Sequence, residues 1–204
     1  MGRLPTNSKT KLIQTANDLI WKSSYGSVSV DEICTVSGVK KGSFYYYFSS
    51  KAELAVAVIE ESYHNYELTL NELFSTPNCT TAHFKNLATC IYIKQQQASE
   101  QYGHVCGCPY ASLGSEMAGN DELIRKKVDE IFHRQETFFI SILREMVNSN
   151  QLPNTMNISS IASEIHSFIM GQMIMARIQN DLSHLKNDLE DGLLRILGLR
   201  QESI

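Results

Sequence analysis

The sequence predicts an all-α protein of about nine helices. No stretch of the 204 residues alternates between apolar and polar side chains as a half-buried strand would. Apolar residues instead recur every three or four positions, as they do on one face of a helix. Capping pairs, glycines and the four prolines fall between these segments and mark helix ends. Together these patterns predict three short helices at the N-terminus followed by a larger helical body.

The first helix is predicted over residues 8–22. Leu12, Ala16 and Leu19 are spaced by four and then three residues, which places them on one buried face. Gly26 then ends the helical pattern, because glycine favours turns over helix interiors. The single apolar face predicts that this helix packs against the elements that follow.

A short helix, a glycine turn and a second short helix are predicted over about residues 29–48. Ser29 and Glu32 form a capping box that opens the first helix of this pair. Gly38 can adopt the left-handed conformation that ends a helix, and the next helix covers about residues 40–47. The arrangement matches the helix-turn-helix, whose second helix enters the major groove of DNA.

The second helix of this pair carries a run of aromatic residues. Because a helix turns about 100° per residue, Phe44 and Phe48 share one face, which we assign to the core. Tyr45 and Tyr46 point away from that face, and Gly42 lies on their side, where a phosphate could approach the backbone. The alternative is that the tyrosines only cap a small core.

The fourth helix is predicted from Ser50 to about Phe74. Ser50 and Glu53 form a second capping box, which marks its start. About 25 residues would span roughly 37 Å at 1.5 Å per residue. Such a helix is long enough to link an N-terminal head to the body mechanically.

The segment VSVDEICTVSGVKKGSFYYYFSSKAEL resembles the DNA-binding domain of the tetracycline-repressor (TetR) family. That family typically has a Lys-Gly-small-aromatic-Tyr-x-x-Phe run, here Lys41 to Phe48, and then a Ser/Thr-Lys-Glu helix start. Ala52 departs from the pattern, because the family often has glutamate there. The resemblance implies a DNA-binding domain over residues 6–66 and a helical body for effector binding and dimerisation over residues 67–204.

The resemblance also implies which side chains would contact double-stranded operator DNA. These residues are Ser29, Lys40, Lys41, Gly42, Ser43, Tyr45, Tyr46 and Lys51. Tyrosine hydroxyls can reach phosphates, and tyrosine rings can reach thymine methyl groups. Ser29 and Lys51 lie at helix starts, where the helix dipole favours an anion.

The distribution of charge agrees with a DNA-binding head. The formal net charge of the chain is −4, but residues 1–52 hold seven basic and three acidic side chains, a formal charge of +4. The remaining residues hold 11 basic and 19 acidic side chains, a formal charge of −8. Phosphate contacts need only local positive charge, so an acidic body does not exclude DNA binding.

The body is predicted to contain helices over about residues 80–99, 110–118, 120–148, 158–179 and 182–197, with a loop at Pro77. The last two helices carry apolar residues at alternating intervals of three and four, which predicts a seam for a neighbouring helix. Seven residues represent this seam: Ile161, Ile165, Phe168, Leu185, Leu189, Gly192 and Ile196. The seam could be satisfied within one chain, but the resemblance implies a homodimer, whose two recognition helices would read a pseudo-palindromic operator.

A pocket for a small-molecule effector among the central helices is implied by the resemblance. Its candidate lining residues are Phe84, Tyr92, Tyr102, Tyr110, Phe132, Phe139, Met146 and Met170. Aromatic residues and methionines at helical spacing can equally be plain core. The sequence does not identify the effector.

The segment around Cys106 and Cys108 allows three interpretations. With His104 it could bind a metal ion, since Cys-x-Cys and a nearby histidine can ligate zinc. It could be a thiol sensor, because Cys108 precedes a helix N-terminus that would lower the pKa of a thiol. The Gly107-Cys108 pair resembles a TetR subgroup with members that respond to electrophiles or oxidants. The third interpretation is ordinary buried thiols.

Several other classes of protein are disfavoured by the sequence. It contains no Gly-x-Ser-x-Gly elbow, phosphate-binding glycine loop or His-Glu-x-x-His motif, so we expect neither an enzyme nor a cofactor. An architectural DNA protein would need more widespread positive charge. The first residues lack the apolar stretch of a secretion signal, and no apolar run is long enough for a membrane span. We therefore expect a cytoplasmic protein, and the resemblance implies that it is a repressor.

Overall fold

The computed structural model describes residues 6–75 and 80–199, and every regular element in these ranges is an α-helix. The nine helices of these ranges are α1 (Thr6–Lys22), α2 (Val30–Ser37), α3 (Lys41–Tyr47), α4 (Lys51–Ser75), α5 (Thr80–Tyr102), α6 (Pro109–Met117), α7 (Glu122–Asn148), α8 (Ile158–Gln179) and α9 (Ser183–Ile196). The all-α prediction is confirmed, while the expected loop at Pro77 lies outside the described residues. Among the described residues, no helix combines the length and apolar content that crossing a bilayer requires.

The described chain divides into two compact units. Unit 1 contains residues 6–65 and 109–131, and unit 2 contains residues 66–108 and 132–199. The division within α4 falls one residue before the predicted boundary. The predicted body included α6 and the first part of α7. In the structure these segments group with the N-terminal helices.

Unit 1 has its own apolar core. Leu12 and Ala16 of α1 are fully buried, as their spacing predicted. Ile33 of α2 and Phe44 of α3 belong to the same buried cluster. Burial of a side chain the size of leucine or phenylalanine contributes about 1.5–3 kcal/mol. The core therefore holds α2 and α3 against α1.

The core of unit 2 is centred on α5, α8 and α9. Helix α9 packs against both α5 and α8. Phe84 and Leu87 of α5, and Ile165 of α8, are fully buried there together with Leu189 of α9. The apolar spacing of the last two helices is thus used inside the chain.

Candidate nucleic-acid interface

The turn between α2 and α3 is fixed by its backbone geometry. Gly38 has φ 67° and ψ 21°, a left-handed conformation that a side chain with a Cβ would disfavour. The N–H of Val39 donates to the carbonyl oxygen of Cys34 at 3.1 Å, which closes α2 as a Schellman motif. At the start of α2 the Ser29 hydroxyl accepts a hydrogen bond from Glu32 N at 3.1 Å. The predicted cap and turn are confirmed.

Helix α3 divides its aromatic residues between core and surface. Phe44 is fully buried and Phe48 is 5% exposed. Tyr45 and Tyr46 are 52% and 79% exposed. The burial pattern predicted from the helical turn is therefore confirmed. Two phenols stand on the outer face of α3, where hydroxyls can reach phosphates and rings can reach bases.

Three further predicted DNA-binding residues lie at or near the start of α3. Lys40 is exposed, and Ser43 is half-buried. Gly42 is exposed, and a Cβ at this position would meet no described atom within 4 Å. Glycine costs a helix about 1 kcal/mol relative to alanine. The packing of the described chain gives no reason for a glycine at this position.

Lys41 is paired with Asp31, a partner that the sequence does not indicate. Its Nζ lies 2.6 Å from Oδ1 of Asp31 on α2, and this hydrogen bond raises the pKa of Lys41. Asp31 and Lys41 lie on different helices, so no short sequence pattern indicates that they form an ion pair. Both side chains of this ion pair are exposed and screened by solvent, so a phosphate could displace the Asp31 carboxylate.

Lys51 points into unit 1 and holds the loop between α1 and α2. Its ammonium donates to the carbonyl oxygens of Tyr25 and Val28, each at 2.9 Å, and lies 3.9 Å from the centroid of the Tyr25 ring. Burial lowers the pKa of Lys51, and the charge of Glu116 acts in the opposite direction. Two of the three ammonium donors are engaged within the chain. This geometry favours support of the loop over the predicted phosphate contact.

The N-terminus of α4 is capped by the chain itself. The Ser50 hydroxyl accepts from Glu53 N at 3.1 Å, which confirms the second capping box. The Glu53 carboxylate accepts from Ser49 N at 2.7 Å, and this bond lowers the pKa of Glu53. A negative charge therefore already compensates the helix dipole, and a phosphate at this terminus would meet a carboxylate.

The residues predicted to line an effector pocket are dispersed. Phe84, Phe139 and Met146 are buried within the core of unit 2, and Met170 packs against that core. Tyr110 belongs to unit 1. The remaining three are half-buried on unit 2: Tyr92, Tyr102 and Phe132. Phe84, Phe139, Met146 and Met170 therefore fit the alternative interpretation, in which these side chains are ordinary core residues.

A groove of about 900 Å³ lies elsewhere in unit 2. It is bordered by the segment between α7 and α8, residues 150–157, and by the end of α9, residues 196–199. Two predicted seam residues, Ile161 and Ile196, contribute to its lining, whereas none of the predicted pocket residues does. No pattern in the sequence indicates this groove, because it depends on how two distant segments meet.

The loop that contains Cys106 and Cys108 is fixed by buried hydrogen bonds. The side-chain amide of Gln95 accepts from Gly107 N at 2.9 Å and donates to Gly107 O at 3.0 Å. Arg177 donates to the carbonyl oxygen of Cys106 at 3.1 Å. Gly107 has φ 68°, and a Cβ there would come within 3.0 Å of the backbone of Met173. The loop therefore has one well-defined shape.

Both thiols of this loop are buried in the structure. Cys106 is 1% exposed and Cys108 is 3% exposed. Burial raises the pKa of the Cys106 thiol, and the nearby positive charge of Arg177 acts in the opposite direction. In the described part of the chain, no group of three or more His, Cys, Asp or Glu residues is arranged to hold a metal ion. Burial thus favours the protonated form of the Cys106 thiol, and both sulfur atoms are enclosed.

Some residues of the predicted seam are buried by packing within a single chain. Ile165, Leu185 and Leu189 are at most 1% exposed. A Cβ at Gly192 would overlap the ring of Phe168, so this glycine also serves contact within unit 2. Intramolecular packing of α8 against α9, rather than a second copy, accounts for these positions.

A different face of α8 carries an exposed apolar stripe. Ile174, Met175 and Ile178 are 38%, 48% and 72% exposed. Gly171 lies one turn earlier, is also exposed, and would have no described atom within 4 Å of a Cβ. The apolar spacing predicted for this helix extends to Met175, and Gly171 was expected to permit close approach of a backbone. The seven residues that represent the seam include none of these four, because apolar residues on several sides of α8 leave its orientation undetermined.

Two family descriptions match the chain. The description "Bacterial regulatory proteins, tetR family" matches residues 12–58, and "Tetracyclin repressor-like, C-terminal domain" matches residues 93–189. A similar protein is the uncharacterized HTH-type transcriptional regulator in the lacX 3' region of Lactococcus lactis subsp. lactis. It is 28% identical over 188 residues, which covers 90% of both chains. The HTH-type transcriptional repressor NemR of Escherichia coli K12 is 22% identical over 192 residues, covering 89% of this chain and 93% of NemR.

Solved structures share the fold. The reduced form of E. coli NemR gives a TM-score of 0.76 at 20% identity and covers 97% of this chain and 100% of that one. A TetR-family transcriptional regulator from Agrobacterium tumefaciens gives a TM-score of 0.81 at 20% identity, with 95% and 99% covered. The helical architecture is therefore common to all three proteins.

Proposed function

The chain belongs to the TetR family of bacterial transcriptional regulators, and on this basis we propose that it is a dimeric repressor. An effector, either a small molecule or a thiol-reactive compound, releases it from a pseudo-palindromic operator. The observation that carries the proposal is the outer face of α3, where Tyr45 and Tyr46 stand exposed beside Gly42 while Phe44 anchors the helix from behind. Proteins of this family are regulators rather than enzymes.

DNA recognition is assigned to α3 and the residue before it. Selection of bound duplexes from random DNA at fixed salt would supply the operator. Lys40→Ala and Tyr46→Ala should each weaken operator binding about tenfold or more, since a direct contact contributes about 1–3 kcal/mol. Lys126→Ala is the matched control, because it removes a lysine whose side chain is 69% exposed on α7.

The salt dependence separates a direct contact from a general charge effect. Loss of one phosphate contact at Lys40 should reduce the slope of log K against log salt by about one. An equal loss of affinity in the Lys40 and Lys126 variants would indicate net charge alone and would contradict the assigned site.

The exposed stripe of α8 is the proposed dimer contact. Two recognition helices must lie about 34–36 Å apart to read successive major grooves, which requires a second copy of the chain. Ile178 is 72% exposed, and Gly171 provides a surface on which another backbone could approach closely. Both features would be explained by burial against the same face of a partner.

A charged residue in the stripe should prevent association. Ile178→Asp is expected to sediment as a monomer, to keep its helical circular dichroism and to bind the operator more weakly. Leu123→Asp is the control, since Leu123 is a 47% exposed apolar residue of α7 outside the stripe. An Ile178→Asp protein with the mass of a dimer would rule out this surface.

Release by a thiol-reactive effector is the narrower part of the proposal. The enclosed loop of Cys106 and Cys108 must open before a reagent reaches either sulfur. The fold is shared with a protein solved in a reduced form, E. coli NemR, which supports testing thiol chemistry. A small molecule that binds the folded body would act without any modified thiol.

Labelling with N-ethylmaleimide followed by mass spectrometry distinguishes these effectors. The half-buried Cys90 should react before Cys106 and Cys108, and operator release should follow the slower reaction. Persistent release by the reagent in a Cys106→Ser/Cys108→Ser variant would exclude a sensor at this loop. A screen for compounds that raise Tm would then identify a small-molecule effector.

A further inference from the structure

A carboxylate on α6 binds the loop between α1 and α2. Oε2 of Glu116 accepts a hydrogen bond from Tyr25 N at 3.2 Å, and Oε1 accepts one from Gly26 N at 2.6 Å. Hydrogen bonds to an ionised carboxylate are stronger than those between neutral groups. The partners are 91 and 90 residues apart in the sequence, so only the tertiary fold brings them together.

The opposite side of the same loop is held by a positive charge. Lys51 donates to the carbonyl oxygens of Tyr25 and Val28, as described above. The Tyr25 peptide groups are thus bound by Glu116 through the N–H and by Lys51 through the carbonyl oxygen. We refer to Glu116, residues 25–28 and Lys51 as the charge clamp. Lys51 is the first residue of α4, four positions after α3 ends at Tyr47.

Helix α6 is seated firmly within unit 1. A Cβ at Gly114 would come within 2.8 Å of Cγ1 of Val128, so α6 and α7 approach each other closely. On α6 the ring of Tyr110 also packs edge-on against Tyr63 of α4, with 6.4 Å between the centroids. The position of the Glu116 carboxylate therefore depends on the position of α6 as a whole.

We propose that Glu116 is a positioning residue for DNA recognition, which acts through the charge clamp to hold the α1–α2 loop, the start of α4 and thereby α3 in the DNA-reading arrangement. The proposal rests on the DNA-binding function proposed above and adds a residue that positions its reading helix. Helix α6 begins directly after Cys108 and has nine residues.

Substitution of Glu116 should change operator affinity in the direction opposite to the one that net charge alone predicts. Removing an acidic residue from a DNA-binding unit should by itself strengthen binding to a polyanion. Glu116→Ala should instead weaken operator binding about fivefold to tenfold, because a charge-assisted hydrogen bond is worth about a decade in an equilibrium constant. Glu122→Ala is the matched control, since Glu122 pairs with Arg125 and Lys126 on its own helix. It should bind as tightly as the wild type or more tightly.

Conservative and neighbouring variants separate positioning from loss of fold. Glu116→Gln keeps one acceptor oxygen and should bind with intermediate affinity. In Gly26→Ala, the new Cβ would lie 2.7 Å from Oε1 of Glu116 and displace the carboxylate. This variant should weaken binding in the same direction, and the Glu116→Ala/Gly26→Ala double variant should lose no more than either single variant.

The full-length chain is tested by operator titration and by amide hydrogen exchange at Tyr25 and Gly26. The expected result is faster exchange of both amides in Glu116→Ala, weaker operator binding and an unchanged salt slope, since no phosphate contact is removed. Faster exchange with wild-type affinity, unchanged exchange, or additive losses in the double variant would each overturn the assignment. Failure of the wild type itself to prefer any selected duplex would instead contradict the proposed function.

Discussion

The two glycines of the C-terminal helices should respond in opposite ways to the same substitution. Alanine gains up to about 1 kcal/mol over glycine in a helix, and this gain is common to Gly171→Ala and Gly192→Ala. At Gly171 the new methyl group would meet no described atom within 4 Å, so nothing opposes the gain. At Gly192 it would overlap the Phe168 ring, and overpacking costs about 1–3 kcal/mol. The helix gain cancels when the two variants are compared. The difference between their free energies of unfolding therefore measures the cost of the contact with Phe168.

Urea unfolding followed by circular dichroism measures that difference. Both substitutions are made in the Ile178→Asp background, so that dimerisation does not contribute to apparent stability. Gly171→Ala should be as stable as its parent or more stable, and Gly192→Ala should be less stable than its parent by up to about 2 kcal/mol, which leaves about 1–3 kcal/mol between the two variants. Phe168→Leu should remove most of the cost at Gly192. Equal unfolding free energies for the two alanine variants would refute the packing argument.

Three further predictions concern unit 1. Asp31→Asn should raise affinity for random duplex DNA, because Lys41 loses its paired carboxylate. Titrations of random duplex and of operator at the same fixed salt check whether the ratio of the two affinities falls. Lys51→Met should lower the free energy of unfolding by about 1–3 kcal/mol in thermal denaturation, because two carbonyl oxygens lose their donor. Burial, followed by the charges of Asp121 and Glu116, raises the pKa of Tyr25 from 10.0 to about 12. The stabilisation from the buried phenol of Tyr25 should be complete below pH 10. The free energy of unfolding should then fall as the pH rises towards 12, because the unfolded chain releases the phenolic proton first. Tyr25→Phe should show a shallower fall over the same pH range.

Local signals in the sequence predicted the helices and the orientation of α3. The capping pairs at Ser29 and Ser50 and the left-handed Gly38 act within a few residues, so the sequence alone determines them. The burial of Phe44 and the exposure of Tyr46 follow from helical periodicity once one apolar face is identified. These features depend on neighbours along the chain.

Contacts between distant segments could not be predicted in the same way. The sequence placed Lys51 at a helix start, where it suggested a phosphate ligand, but only the fold shows the two carbonyl oxygens beside it. Glu116 has no sequence neighbour that indicates its partners in the α1–α2 loop. Gly192 belongs to the seam predicted to face a neighbouring helix, but only the packing shows that it lies against Phe168 of the same chain, while Gly171 is exposed.

The pairing of Gln95 with Gly107 limits how this protein can diverge over evolution. One side-chain amide satisfies both backbone groups of Gly107, and a side chain there would be strained by the positive φ and by the backbone oxygen of Met173 3.0 Å from its Cβ. A lineage that replaces Gly107 must reshape the loop, and Gln95 would then be a buried amide without partners. A lineage that loses Gln95 would leave a buried peptide unsatisfied. The two positions should therefore covary among related sequences, and their joint change would mark branches in which the cysteine loop has taken a different form.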